Sequence, residues 1–136
     1  MSTVLVVDDM PDNLRLVRRL LTGPDFRVLE ALSADEALAI SASAMPDMIL
    51  VDLRLGDGSM TGYELAGRLR KLPGGRAAVI VALTGGARLE DEAESAVPGF
   101  DAFILKPFEF GEFSNRLKGY LAEKAKFGTQ ENGAVK

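Results

Sequence analysis

The sequence contains no cysteine and no histidine among its 136 residues. Without cysteine, the chain has no disulfide, no thiolate metal site and no cysteine nucleophile. Without histidine, it has no Ser-His-Asp triad, no histidine metal ligand and no phosphohistidine of its own. Any acid–base or metal chemistry must therefore come from carboxylates, hydroxyls, lysine and the backbone.

Excess charge of one sign and long apolar runs are also lacking. Lys and Arg number 16 and Asp and Glu number 20, so the net charge is −4, which argues against a nucleic-acid or anionic-membrane surface. The first residues show no basic stretch followed by a long apolar one, so they do not form a signal peptide. No apolar run approaches the ~20 residues that span a bilayer. These absences predict a cytoplasmic protein.

What the chain does have is enough apolar sequence for one packed domain, since 47% of its residues are hydrophobic. Five short apolar runs recur, at residues 3–7, 26–29, 48–51, 78–83 and 102–105. Four of them are almost continuously apolar, as in strands that are buried on both faces of a parallel sheet. The run at 26–29 is interrupted by Arg27, which indicates an edge strand.

Apolar residues at helical spacing occupy the intervals after the strands. They are Leu14, Val17 and Leu21; Ala37, Ile40 and Ala44; Leu65, Leu69 and Leu72; and Phe110, Phe113, Leu117 and Leu121. A short acidic segment at residues 89–96 is the remaining predicted helix, the fourth along the chain. Strand and helix thus alternate five times, which predicts a doubly wound α/β sandwich with right-handed crossovers. The apolar pattern is lost after residue 123, so we expect a domain at residues 1–123 and a flexible tail at residues 124–136.

Polar side chains follow four of the five predicted strands. Asp8 and Asp9 follow the first strand, Asp52 the third, Thr84 the fourth and Lys106 the fifth. Taken singly, each is more often a turn, a helix cap or a solvated side chain. In an open α/β sheet, however, sites form at the carboxyl ends of the strands. The coincidence therefore predicts that these five side chains converge at one edge of the sheet.

The residue types at that edge suit phosphoryl transfer. Three carboxylates brought close together repel one another unless a cation lies between them, and Mg²⁺ prefers such oxygen ligands. A carboxylate can also act as a nucleophile and form an aspartyl phosphate. Lysine and threonine can bind phosphoryl oxygens by charge and by hydrogen bonding. The sequence therefore predicts a metal-dependent phosphoryl site.

The motifs resemble the receiver domain of two-component response regulators, over about residues 3–122. The stretches that carry the resemblance are VLVVDDMPDN, MILVDLRL, VIVALTGG and GFDAFILKPF. The resemblance implies a flavodoxin-like fold with a five-stranded parallel sheet in the order 2-1-3-4-5 and five helices. It also implies a signalling switch that at most catalyses its own phosphorylation and dephosphorylation.

For the metal, the resemblance implies that Asp8 and Asp9 hold Mg²⁺ (or Mn²⁺) together with Asp52 and the backbone carbonyl of Arg54. For the phosphoryl group, it implies that Asp52 is the phosphoacceptor. Thr84 would then donate a hydrogen bond to the phosphoryl group and Lys106 would form an ion pair with it. Phe103 matches the aromatic residue whose rotamer changes with phosphorylation.

The implied donor is a sensor histidine kinase or a histidine phosphotransfer protein, and the implied output is binding to a downstream protein. Neither nucleic acid nor membrane is an expected direct partner, and the chain is expected to be a monomer or a weak phosphorylation-linked dimer. The length leaves no room for an output domain after residue 122. The Met1 start and the polar tail favour a stand-alone receiver over a piece of a larger regulator.

Two features depart from the family pattern. The loop at residues 53–62 is about two residues longer than usual and lacks a proline, and Phe103 is not a tyrosine. One competing interpretation is a receiver-fold interaction module that works without phosphorylation. Another is an aspartate-nucleophile phosphatase, which would need a second aspartate where Arg54 stands. A nucleotide-binding protein would need a glycine-rich phosphate motif, and none is present.

Overall fold

A parallel sheet with helices on both faces forms the structure. The computed structural model describes residues 1–53, 60–84, 99–105 and 112–135, with the backbone alone for residues 105 and 125–135. The strands are β1 (Ser2–Val7), β2 (Phe26–Ala31), β3 (Met48–Asp52), β4 (Val79–Thr84) and β5 (Ala102–Leu105). The helices are α1 (Pro11–Leu20), α2 (Ala34–Ser43), α3 (Gly62–Lys71) and α4 (Glu112–Val135).

All neighbouring strands are parallel and their order is β2-β1-β3-β4-β5. This confirms the predicted doubly wound fold, its strand order and the edge position of β2. The strand ends differ slightly from the prediction. Asp52 and Thr84 are the last residues of β3 and β4, whereas the sequence places each of them just after its strand. Such shifts of one residue are usual at strand ends, where the hydrogen-bonded ladder stops gradually.

The sheet separates two apolar layers, because successive side chains of a strand point to opposite faces. Val4 and Val6 of β1 pack with α1 and α4, whereas Leu5 and Val7 pack with α2 and α3. The helical residues of the first layer include Leu14, Val17, Phe113 and Leu117, and those of the second include Ala37, Leu65, Ala66 and Leu69. Continuous apolar strands therefore supply both layers at once.

Local contacts mark the first residues of three helices. Pro11 is the first residue of α1, and the Ser33 hydroxyl accepts a hydrogen bond from the Glu36 N–H at the start of α2, 3.2 Å away. Thr61 and Glu64 form a reciprocal capping box at the start of α3. The helix predicted at residues 89–96 lies outside the described residues. In the described part of the chain, no helix combines the length and the apolar character needed to cross a membrane.

The last helix runs further than the apolar pattern suggests. The backbone of α4 is helical from Glu112 to Val135, although the sequence predicts a tail from residue 124. Phe113 and Leu117, which belong to the predicted apolar face of this helix, are buried in the core, while Phe110 lies outside the described residues. The domain boundary at residue 123 stays a prediction, because the end of this helix does not mark it.

The start of β5 is tied to α3 by the Arg70 clamp, which we define as Arg70, Asp101 and Lys124 with their contacts. The guanidinium of Arg70 donates to the carbonyl oxygens of Gly99 (3.0 Å), Gly75 (2.8 Å) and Ala78 (2.6 Å). Its Nη2 lies 2.7 Å from Asp101 Oδ2, and Lys124 Nζ lies 3.0 Å from Asp101 Oδ1. One side chain of α3 therefore binds the backbone between α3 and β4, at Gly75 and Ala78, and the backbone just before β5, at Gly99.

The contacts of Asp101 favour its charged form. Burial alone would raise the pKa of this carboxyl group, but the backbone N–H of Ile80 donates to it over 2.9 Å. Hydrogen bonds from Arg70 and Lys124 and the charge of Arg70 act in the same direction. Together these contacts outweigh the burial and lower the pKa of Asp101 below its ordinary value.

Candidate functional site

Two central strands bring the predicted carboxylates together. β1 and β3 are neighbours, and their last paired residues are Val7 and Val51. Asp8 and Asp52 each come one residue later, so they lie side by side at the carboxyl edge of the sheet. The backbone N–H of Asp8 still donates to Ala31 in β2 over 3.1 Å, which fixes the direction in which the chain leaves β1.

The acidic edge, which we define as Asp8, Asp9 and Asp52, is a tight cluster. Each residue contributes one carboxylate oxygen, and these oxygens lie within 4.8 Å of one another. Asp8 and Asp52 are only 1% and 6% exposed. Among the described residues, no other group of three or more acidic side chains is so placed. The predicted convergence of the three carboxylates is thus a feature of the structure.

The donor set of the acidic edge fits a hard divalent cation. Like charges about 4 Å apart repel by about 4 kcal/mol at the effective dielectric constant of a protein surface, so three of them need compensation. Carboxylate oxygens are the ligands that Mg²⁺ and Mn²⁺ prefer, and one or two carboxylates with water is the usual Mg²⁺ site. One oxygen of Asp8 also accepts from the Met10 N–H over 3.0 Å, which orients that carboxylate.

The other predicted site residues are divided between the described and undescribed parts of the chain. Thr84 ends β4 next to β3, because Asp52 pairs with Leu83 in the sheet register, and it is 6% exposed. Thr84 is therefore at the same edge as Asp52. Lys106 and the carbonyl of Arg54 lie outside the described residues, as does most of the long loop at residues 53–62.

Gly62 contributes to the site in a way that sequence reasoning missed. A Cβ atom at this first residue of α3 would lie 3.1 Å from the backbone oxygen of Asp52 and 3.1 Å from Leu53 Cα. Real Cβ atoms rarely come so close, so a larger residue would push α3 away from β3. The start of α3 thus rests directly on the backbone of Asp52. The signal in the sequence was a glycine next to a capping box, Thr61 to Glu64.

A second missed feature is the aromatic bridge, which we define as Tyr63, Phe100 and Phe103. The rings of Tyr63 and Phe100 are 6.0 Å apart and nearly perpendicular, at 83°. The rings of Phe100 and Phe103 are 5.5 Å apart and tilted by 51°. Both are attractive aromatic geometries. Phe103, predicted from the sequence as a switch residue, is therefore in contact with a chain of rings that ends on α3.

Comparison with known proteins agrees with this geometry. The family model of the response regulator receiver domain matches residues 4–118. The transcriptional regulatory protein KdpE of Mycobacterium tuberculosis is 35% identical over 118 residues, which cover 87% of this chain and 50% of KdpE. The polar-differentiation response regulator DivK of Brucella ovis is 29% identical over 122 residues, which cover 90% of this chain and 98% of DivK. The chain thus spans about half of KdpE and nearly all of DivK.

A solved structure with a bound ion is also similar. It is the receiver domain of a sensor histidine kinase from Pseudomonas aeruginosa PAO1, with a magnesium ion coordinated in the active site cleft. The identity is 26%, the TM-score is 0.78, and the match covers 89% of this chain and 98% of that domain.

Proposed function

Because this chain belongs to the response regulator receiver domain family, whose members are signalling switches rather than classical enzymes, we propose that it accepts a phosphoryl group on Asp52 from the phosphohistidine of a partner protein. The observation that carries the proposal is the convergence of Asp8, Asp9 and Asp52 within 4.8 Å at the carboxyl edge of the sheet. The chain has no histidine, so the phosphohistidine must belong to the partner.

In the transfer step, a carboxylate oxygen of Asp52 attacks phosphorus in line with the leaving group. The new bond joins this oxygen to phosphorus while the bond from phosphorus to the histidine ring nitrogen breaks. The electron pair of that bond stays on the nitrogen, and the imidazole leaves neutral because its other nitrogen carries a proton. Hydrolysis later breaks the new oxygen–phosphorus bond, releases phosphate and restores the carboxylate of Asp52.

Asp8 and Asp9 would hold Mg²⁺ (or Mn²⁺) together with Asp52 and the backbone carbonyl of Arg54. When bound, the ion supplies compensation for the negative charge of the carboxylates and of the phosphoryl oxygens. Support comes from the acidic edge itself and from the magnesium ion in the similar receiver domain from P. aeruginosa. Two of the three carboxylates that would bind the ion, Asp8 and Asp52, are buried.

Phosphorylation would then change the surface of the protein. The phosphoryl group adds about −1.5 to −2 charges, and Thr84 and Lys106 would donate to its oxygens. Movement of Thr84 would leave room for the ring of Phe103 to turn inward. This two-state change of the protein-binding face would be the signal, and hydrolysis would reset it.

The proposed donor is a sensor histidine kinase or a histidine phosphotransfer protein, and the proposed target is another protein. The response regulators KdpE and DivK are relatives that support this role. We propose residues 1–123 as the switching unit, acting as a monomer or as a weak phosphorylation-linked dimer. The cytoplasm stays the predicted compartment.

The test is intact-mass analysis after incubation with acetyl phosphate, with and without Mg²⁺. We expect one added phosphoryl group that requires Mg²⁺ and is absent in Asp52→Asn. The matched control is Asp12→Asn, because Asp12 is an exposed carboxylate in the first turn of α1 and lies outside the acidic edge. This control should be phosphorylated like the unchanged protein.

Three results would contradict the proposal. Phosphoryl uptake that persists in Asp52→Asn would place the acceptor elsewhere. No uptake from acetyl phosphate or from a set of purified phosphorylated kinases would favour the interaction module that works without phosphorylation. Multiple turnover of unrelated phosphate esters would instead indicate a phosphatase.

A further inference from the structure

The aromatic bridge of Tyr63, Phe100 and Phe103 connects the last strand of the sheet to the first turn of α3. Ala102 and Ile104 of β5 pack in the layer of α1 and α4. Phe103 lies between them in the strand, so its ring points to the opposite face, where α2 and α3 lie. Its neighbour in the sheet register is Ala82. Because the side chain of Ala82 is small, it leaves room beside the Phe103 ring for the other aromatic rings.

Phe100 is the middle ring, and its backbone is held on both sides. The carbonyl oxygen of Gly99 accepts from Arg70 Nε over 3.0 Å, and the N–H of Asp101 donates to the Ile80 carbonyl over 2.7 Å. Gly99 has a φ of +99°, and a Cβ there would lie 3.0 Å from Ala66 Cβ of α3. The segment that carries Phe100 is therefore fixed against α3. A rotation of the Phe103 ring must be met by ring motion of Phe100 and Tyr63 rather than by movement of this backbone.

The far end of the bridge leads back to the candidate phosphoacceptor. Tyr63 follows Gly62, which lies so close to β3 that a Cβ atom on it would be 3.1 Å from the backbone oxygen of Asp52. The first turn of α3 is thus in contact with β3 at Asp52 and, through Tyr63, with the rings that lead to Phe103. It is linked to both groups that phosphorylation is proposed to change.

We propose that Phe100 is a positioning residue that couples the Phe103 ring to Tyr63, so that α3 responds to phosphorylation of Asp52 together with β5. The inference rests on the proposed function, because it takes Asp52 as the acceptor and Phe103 as the switch. Aromatic pairs in such geometries shift an equilibrium by roughly 2- to 13-fold beyond the effect of area burial. One ring contact is therefore enough to bias a two-state rotamer change.

The chain offers a convenient reporter, since it contains two tyrosines and no tryptophan. In a Tyr120→Phe background, Tyr63 is the single tyrosine, and its ring resonances can be followed by NMR before and after phosphorylation. Phe100→Leu removes the middle ring but keeps an apolar side chain. Phe26→Leu is the matched control, because Phe26 is buried in the layer on the other face of the sheet. Intact mass reports the phosphoryl group in every sample.

We expect the Tyr63 resonances to move on phosphorylation in the background protein and in Phe26→Leu, and this movement to be largely lost in Phe100→Leu at equal phosphoryl occupancy. A merely structural role of Phe100 would alter stability without removing the response of Tyr63. If Asp52 is phosphorylated but Tyr63 does not respond, or responds equally in Phe100→Leu, the inference is wrong and the proposed function stands. Absence of phosphoryl uptake by mass would remove the proposed function and this inference with it.

Discussion

The acidic edge and the Arg70 clamp place aspartate side chains in opposite electrostatic environments. At the clamp, the carboxylate of Asp101 faces Arg70, Lys124 and the N–H of Ile80, all of which stabilise its charge. At the acidic edge, Asp52 faces two more carboxylates. The first arrangement pairs a carboxylate with opposite charges, whereas the second brings like charges together, which favours a cation between them. The stabilising ion pairs of the clamp thus lie on β5, α3 and α4, whereas the like charges of the candidate site lie on and directly after β1 and β3.

The largest expected effect comes from breaking the clamp. Arg70→Met keeps most of the apolar stem but leaves Asp101 with less compensation and three carbonyl groups without their donor. Removing one partner of such a partly buried pair should lower the free energy of unfolding by about 3 kcal/mol. Arg68→Met is the matched control, since Arg68 is exposed on the same helix, and should change it by less than about 0.5 kcal/mol. If urea unfolding shows that both variants lose the same free energy of unfolding, Arg70 has no special role.

Asp101→Asn should have a smaller effect and lower the free energy of unfolding by about 2 kcal/mol at neutral pH. The reason is that the hydrogen bonds lose their charged acceptor and become weaker. The pH dependence has a defined sign. The pKa of Asp101 is lowered by folding, so its contribution is fully present above the unfolded pKa of about 3.9 and is lost as the pH falls through the lower folded pKa.

The measurement is urea unfolding from neutral to acidic pH. The difference in stability between the unchanged protein and Asp101→Asn should shrink as the medium becomes acidic. A difference that stays constant over this range would mean that the carboxylate charge does not contribute.

The smallest expected effect is at the acidic edge and has the opposite sign. A variant that removes one of its carboxylates should be more stable than the unchanged protein. Asp52→Asn removes one of three mutually repelling charges and should raise the free energy of unfolding by about 1 kcal/mol without divalent cations. Free Mg²⁺ at about ten times its dissociation constant should stabilise the unchanged protein by about 1.4 kcal/mol, and Asp52→Asn by less. Thermal unfolding with EDTA or with Mg²⁺ measures both. Destabilisation by Asp52→Asn in EDTA would show that the acidic edge is compensated like the clamp.

Much of the fold could be predicted because the relevant signals are local. Continuous apolar runs indicated buried parallel strands, and apolar residues at helical spacing indicated the helices between them. The acidic edge could also be predicted, since parallel strands bring their carboxyl ends to one edge. No such signal exists for Arg70 and Asp101, which are 31 residues apart, or for the rings of Tyr63 and Phe100. Their charges and rings look like ordinary surface or core residues until the chain is folded.

The sequence by itself determined the alternation of strands and helices, the doubly wound sandwich and the identity of the carboxylates at the carboxyl edge, because residue type and period act over a few residues at a time. The strand order came from the resemblance of the motifs to the receiver family. The tertiary structure alone decided that Asp8, Asp9 and Asp52 lie within 4.8 Å. It also decided that Gly62 rests on the backbone of Asp52 and that Phe103 meets α3 through Phe100. These are contacts between elements far apart in the chain, and their distances depend on how the packed helices and strands share the available space.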